Sequence, residues 1–377
     1  MKKNKLTFNK IFFASFIFLW LATAAYNLVK PTSDFSENEN RYLAKFPRYT
    51  TEDLLEGRFM LGVEDYINDR FVARDFWISM QSVLEYAMGK RESNGVYICS
   101  DALIGSIDEP NREYVAGNIK AINNFTKVTG LPAEIMIVPS AAEVQAYKLP
   151  RFASPWNQSA EIELIYSNID DAVCVPVGEA LKEHKYEYIY YRTDHHWTSW
   201  GAYIAYKAYC ETAGITPVEY KANRVSDDFK GTLYSTSGVR FIKSDYIEAY
   251  VYSGPVRCDI SNGVTARSYD SMYFSEFLDK KDKYAYFLGQ NQPAITVYGN
   301  SGGGKLLIFK DSYAHCMAPM LLENFSQVTL VDLRYVNRTF DHYFDISEYD
   351  RVLFLYSIDS FVNHSDITRL NLIGTAN

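Results

Sequence analysis

The sequence contains no concentrated basic run, and its net charge is −8. Binding to nucleic acid needs clustered cations against phosphate, so no nucleic-acid partner is expected. The five cysteines, Cys99, Cys174, Cys210, Cys258 and Cys316, are scattered and odd in number. They give neither a disulfide framework nor a zinc-ligand spacing. Histidines number only six, and no His-Glu-x-x-His stretch occurs among them, which removes a common metalloprotease signature. No internal repeat or low-complexity tract is present, and the 47% hydrophobic content excludes a mainly disordered chain. No acidic residue precedes Asp34.

That last absence marks a compartment. Lys2, Lys3, Lys5 and Lys10 precede an apolar run from Ile11 to Val29, with the charge asymmetry and length of a membrane-targeting segment. Read as a signal anchor, residues 1–30 form a single-pass transmembrane helix that enters the cell membrane through residues 11–29. Ala22-Thr23-Ala24 offers a competing cleavage site, which would release a secreted chain from a signal peptide ending at residue 24. Both readings put the working domain outside the cytoplasm. Residues 31–50, rich in Ser, Glu and Asn without an apolar period, read as a linker. From about Thr51 to Met88 the spacing of Leu54, Leu55, Phe59, Val63, Tyr66, Ile67, Phe71, Phe76 and Trp77 predicts helices, a helical cap region over 51–90.

Beyond residue 90 short apolar runs alternate with amphipathic stretches, which predicts an α/β domain over 91–377. Strands are expected at Ala133–Val138, Ala172–Val177 and Tyr186–Tyr191, with helices at Val115–Gly130 and Glu161–Asp170. Ser199 to Ala213 predicts a helix opened by Thr198 and closed by Gly214. Residues 227–300 carry scattered glycines between aromatic segments and read as an insertion of hairpins and loops. Compact strands resume at Lys305–Lys310, Val328–Asp332 and Arg351–Tyr356, with a helix from about Ala314 to Asn324. Their continuous apolar character predicts central parallel strands.

Two segments carry chemistry. Thr193-Asp194-His195-His196-Trp197 falls on the loop before the Ser199 helix, and Asp311-Ser312-Tyr313 follows an apolar strand just before a helix. A serine at a helix amino terminus lies near backbone donors able to hold an oxyanion, so Ser312 is a candidate nucleophile. The plainer reading of Asp311-Ser312 is a helix cap, and that of Asp194 is loop stabilisation and capping. His315 is a second candidate base beside His196. Asp194, His195, His196, Asp311 and His315 are also possible metal ligands, but adjacent histidines rarely both ligate one ion. No metal and no cofactor are expected.

Asp194-His195-His196-Trp197 with Gly201-Ala202, Lys310-Asp311-Ser312-Tyr313 and Val331-Asp332-Leu333-Arg334-Tyr335 together resemble the bacterial DHHW proteins, which are themselves similar to the SGNH-type O-acetyltransferases of alginate acetylation. Glu39-Asn40-Arg41, Asp69-Arg70-Phe71, Asn94-Gly95-Val96-Tyr97 and Val138-Pro139-Ser140 extend the resemblance over nearly the whole chain after the anchor. It implies a flavodoxin-like SGNH-hydrolase-type domain in permuted motif order, since SGNH hydrolases ordinarily have a Gly-Asp-Ser block first and Asp-x-x-His last. On that reading Ser312 is the nucleophile, His196 the base and Asp194 the group that orients it. No Gly-x-Asn-Asp block follows a strand here, which leaves the Ser312 backbone with Arg334 or Tyr313 as oxyanion donors. Tyr335, His195 and Trp197 are further substrate or oxyanion candidates, and Arg334 reads equally as a salt-bridged surface residue. The implied activity is O-acetyl transfer onto a cell-surface polysaccharide through an acetyl-serine, with a membrane-bound O-acyltransferase partner as acyl donor. A carbohydrate acetyl esterase would use the same residues. A non-catalytic envelope protein that binds glycan is the alternative of a different class.

Overall fold

The computed structural model describes residues 2–30, 33–36, 38, 39, 41–299 and 301–372. Pro31 of the predicted linker and Asn40 of the Glu39-Asn40-Arg41 motif lie outside the described residues. The chain divides into two compact units, Met1–Lys90 with Gly238–Phe241, and Arg91–Ser237 with Ile242–Asn377.

In the first unit, α1 (Lys2–Val29) contains the stretch Asn9–Asn27, with mean hydropathy 1.3 and none of it buried. Among the described residues this is the one helix long and apolar enough to cross a membrane. Three further helices follow: α2 (Thr51–Leu55), α3 (Arg58–Asp69) and α4 (Arg74–Ala87). Thr50 caps α2 through the Asp53 N–H. The segment read as a linker is partly fastened. Phe35–Ser36 pairs antiparallel with Arg41–Tyr42, and Asp69 at the end of α3 accepts from Arg41 Nη1 and Nη2 at 2.9 and 2.5 Å and from the Ala44 N–H at 2.7 Å.

The second unit is built on one eight-stranded sheet. In chain order its strands are β1 (Ala133–Val138), β2 (Val173–Cys174), β3 (Arg257–Ser261), β4 (Ala266–Tyr269), β5 (Ala294–Tyr298), β6 (Lys305–Lys310), β7 (Gln327–Val331) and β8 (Arg351–Ser357). Their spatial order is β4-β3-β5-β7-β6-β8-β1-β2. The five strands from β7 to β2 are parallel, whereas β5, β3 and β4 extend the β7 edge as antiparallel strands. The region 227–300 is therefore more than a covering insertion, because it supplies three strands of the main sheet.

Side chains alternate between two cores. Met136, Leu306, Ile308, Leu353 and Leu355 pack with α6 (Ser199–Ala213) and α7 (Ala314–Leu321) on one face. Ile135, Ile137, Phe309, Val352 and Phe354 pack with α5 (Arg112–Thr129) on the other. Apolar faces on both sides are what a parallel sheet requires, and they give an α/β/α arrangement. The boundaries of α6 are as expected, with Thr198 Oγ1 accepting from the Gly201 N–H and Gly214 closing the helix at φ +68°.

Tyr186–Tyr191 does not form the expected strand. Its alternating tyrosines mimic a period of two, yet the segment joins no strand of the sheet. It folds back on itself instead: Tyr190 bridges Trp197, and the Thr198 N–H donates to Ile189 O at 2.9 Å. The predicted 172–177 strand shortens to Val173–Cys174, and the helix predicted to Asn324 ends at Leu321.

Candidate active site

The fold-back of residues 188–198 sets Asp194, His195 and His196 at the tip of a tight loop. Gly201 makes the turn possible, because a Cβ there would collide with Ile189 O. Asp245, fully buried on the strand Asp245–Tyr250, holds the base of the loop. It accepts from the Arg192 and Thr193 N–H groups at 2.7 and 2.8 Å, Thr193 Oγ1 at 2.5 Å and Tyr188 OH at 2.5 Å.

Ser312 stands two residues beyond β6, on the turn into α7. Asp311 fixes that turn: Oδ1 accepts from the Tyr313 N–H at 2.9 Å, and Oδ2 from the Ser357 N–H at the end of β8 at 2.8 Å. Asp311 thus joins the carboxyl ends of two adjacent parallel strands, where sites form in open α/β sheets.

His196 meets Ser312 there. Its Nε2 lies 2.7 Å from Ser312 Oγ, and its Nδ1 lies 2.5 Å from Asp194 Oδ1. The Asp194 contact puts the proton on Nδ1 and leaves the Nε2 lone pair for the serine hydroxyl. Asp194 Oδ1 also accepts the His196 N–H at 3.0 Å, while Oδ2 accepts the Thr232 N–H at 2.8 Å and Thr232 Oγ1 at 3.0 Å. Burial alone would raise the Asp194 pKa; the two histidines and these hydrogen bonds outweigh it and hold the carboxyl well below the usual range. Gly231 allows the approach, since a Cβ there would overlap the carboxylate. Tyr284 stacks on the His196 ring, centroids 4.1 Å apart at 13°, and its hydroxyl donates to Ser312 O at 3.1 Å.

Ser312 opens into a cavity of about 350 Å³. Ser140 after β1, Arg334 after β7, Ser357 at the end of β8 and Asp359 just beyond it line it, together with His195 and Leu233.

The other candidates separate. Tyr313 has both donors committed, its N–H to Asp311 and its hydroxyl to His195 O at 2.5 Å. Trp197 is fully buried in the core and donates to Tyr313 O at 3.0 Å. Tyr335 is 45% exposed and does not line the cavity. Arg334 does line it, backed by Asp332, which accepts from Nε at 2.8 Å and Nη2 at 2.7 Å. His195 Nδ1 is 2.8 Å from Thr232 Oγ1. Because that hydroxyl donates to Asp194, it accepts from His195, which fixes the proton on Nδ1 of that ring as well.

His315 is not placed to serve Ser312. It is buried, with Nε2 taken by Lys310 Nζ at 2.7 Å, and burial together with that lysine pushes its pKa well down. Donor atoms of Asp194, His195 and His196 lie within 4.8 Å of one another. Of these atoms, His196 Nδ1 is engaged with Asp194 and His196 Nε2 with Ser312, and His195 Nδ1 with Thr232 Oγ1.

Three contributors were missed from sequence. Thr232 had a weak signal, a small residue after a glycine in a loop; Tyr284 and Asp245 had none, because each acts across the fold on residues far away in the chain.

Residues 96–331, more than half of the chain, match the model of the DHHW protein family. The chain belongs to that family. Among solved structures, a DHHW family protein from Eubacterium siraeum is 26% identical with a TM-score of 0.66, over 74% of this chain and 96% of that one. PatB1 from Bacillus cereus is 19% identical with a TM-score of 0.60, over 72% of this chain and 98% of its own. A structure of PatB1 with a sulfonyl adduct gives 18% identity and a TM-score of 0.60, over 72% and 96%. No curated protein matches the chain.

Proposed function

From its place in the DHHW family and the geometry around Ser312, we propose that this protein is an extracytoplasmic O-acetyltransferase that acts on a cell-surface or exopolysaccharide through an acetyl-Ser312 intermediate. The observation that carries the reading is the continuous line from Asp194 Oδ1 through His196 to Ser312 Oγ, with contacts of 2.5 and 2.7 Å, ending in a cavity.

His196 Nε2 takes the Ser312 proton as Oγ attacks the acetyl carbonyl of the donor. Asp194 stabilises the imidazolium that results. Collapse of the tetrahedral adduct expels the donor's oxygen, which leaves with the proton from His196. A polysaccharide hydroxyl then gives its proton to His196 and attacks the acetyl-serine, which returns Ser312 to the neutral hydroxyl. Arg334 and the Ser312 N–H are the proposed donors to the oxyanion. Membership of the SGNH class in permuted order, with the histidine loop before the serine, follows from the same assignment. The apolar α1 helix supports anchorage in the membrane, and a membrane-bound O-acyltransferase is the proposed supplier of the acetyl group.

The test is acetyl transfer by the full chain from a generic acetyl ester, followed by mass spectrometry of the intact protein and its peptides. Acetyl mass on Ser312, absent from Ser312→Ala, and a fall in kcat/KM of about 10⁴-fold or more in that variant are expected. Product formed on an added oligosaccharide separates a transferase from an esterase, in which water is the acceptor. Oligosaccharide binding without any adduct or turnover, unchanged in Ser312→Ala, would establish a glycan-binding protein and refute the proposal.

A further inference from the structure

In α4 the usual relation between helix and core is reversed. A surface helix ordinarily turns its apolar stripe inward. Here Phe76, Trp77, Met80, Val83 and Leu84 form one stripe by helical spacing, and all are exposed, Phe76 by 59% and Leu84 by 53%. The only buried residue of the helix is Ser82, on the other side. In α3 no residue is buried; Phe59, Val63 and Tyr66 are half-covered, while Met60, Leu61 and Ile67 are exposed around an open groove of about 490 Å³. Scattered exposed apolar residues are ordinary, but an uncovered apolar stripe along α4 beside a groove on α3 lined by exposed Met60, Leu61 and Ile67 marks an interaction surface.

One contact identifies the occupant. Lys30, one residue past the end of α1, donates from Nζ to Phe71 O at 3.2 Å, just before the first turn of α4. The carboxyl end of the apolar helix and the start of the inverted helix are thus within one lysine side chain of each other. Phe71, Phe76 and Trp77 cluster at this end, the last two with ring centroids 5.3 Å apart. Aromatic side chains at the exit of a membrane helix settle in the boundary between headgroups and acyl chains.

We propose that α3 and α4 rest with their exposed apolar stripes in the lipid boundary layer beside α1, so that the protein is held against its membrane by a surface as well as by a helix. The inference rests on the membrane reading of α1. A second copy or a protein partner would have to reach this face, whereas the bilayer that receives α1 is already beside it.

The experiment uses the full chain in nanodiscs of phosphatidylcholine and phosphatidylglycerol whose acyl chains carry a photoactivatable group, with adducts mapped by mass spectrometry. Adducts on α1 and on the α4 stripe are expected, with those on α4 lost in the combined variant Phe76→Asp, Trp77→Asp and Leu84→Asp. The altered positions are exposed, so circular dichroism should match the wild type. Adducts on α1 alone would overturn the docking surface while leaving the anchor intact. An unlabelled α1 would remove the anchor on which the inference rests. Cross-links between copies through α4 in place of lipid adducts would assign the face to a second copy and overturn the proposal.

Discussion

Asp194 and Asp245 are buried carboxylates that grip the same loop one residue apart, and they are used in opposite ways. Asp245 faces backbone: two N–H groups and two hydroxyls converge on it. Burial nevertheless outweighs those hydrogen bonds and keeps its pKa above the ordinary value; Arg192 approaches to 3.7 Å. Asp194 faces His196, and its pKa lies well down. Hydrogen bonds alone position a loop, whereas a neighbouring imidazole makes the carboxylate an electrostatic partner whose strength grows when the imidazole takes a proton.

The sharpest way to break the comparison is Asp194→Asn. The amide keeps the shape and can accept from the Thr232 N–H, but it favours the wrong histidine tautomer and cannot stabilise an imidazolium. A fall in kcat of about 10⁴-fold with KM little changed is expected in steady-state assays with an acetyl ester. A fall of less than tenfold would mean that Asp194 only shapes the loop, as Asp245 does.

Asp245→Asn tests the other arm. Its amide nitrogen would point at donors, which leaves buried N–H or O–H groups unmatched. A stability loss of about 3 kcal/mol is expected in urea unfolding, while the variant that remains folded keeps an acetylatable Ser312. If acetylation were lost in folded protein with stability intact, Asp245 would belong to the chemistry.

Glu134 on β1 shows a carboxylate with neither form of support. It is buried, its Oε2 meets no hydrogen-bond donor among the described residues, and Arg351 approaches only to 3.5 Å. Burial pushes its pKa up to about 6. The folded state therefore binds this proton more tightly than the unfolded chain. Its contribution to stability falls as pH rises from about 4.5 to about 6 and is flat beyond, a total of about 2 kcal/mol. Glu134→Gln should abolish that slope in a series of melts across this range.

How far these roles could be read from sequence follows from their range. The strands at 305–310 and 351–357 are continuous apolar runs, and α6 is bounded by its own cap residues, so local chemistry announced them. The residue types suggested a serine, a histidine and a carboxylate, and the resemblance to the DHHW proteins implied the particular set Asp194, His196 and Ser312. Asp245 was invisible, because what it does depends on donors more than fifty residues earlier in the chain. The 186–191 strand failed for a related reason: tyrosines at every second position satisfy the pattern, but the partner taken is Trp197 across the segment's own fold-back, which no local pattern encodes. The three antiparallel strands from 257–298 were hidden by glycines and short lengths.

Thr232 lies between the two carboxylate types and gives the finest test. Its N–H and Oγ1 both donate to Asp194 Oδ2, and Oγ1 in turn accepts from His195 Nδ1. Thr232→Val keeps the volume and the N–H but removes the hydroxyl. One hydrogen bond from an exposed residue to a charged, buried acceptor is lost, so stability should fall by about 1 kcal/mol. His195 loses the acceptor that fixes its ring, and Asp194 keeps His196 with one fewer donor. The expected kinetic effect is a fall in kcat of less than about tenfold, since this loss of about 1 kcal/mol reaches the transition state only through the carboxylate. If KM for the acceptor rises while acetylation of Ser312 proceeds at the wild-type rate, the hydroxyl serves His195 and the acceptor side of the cavity; if acetylation itself slows, it serves Asp194.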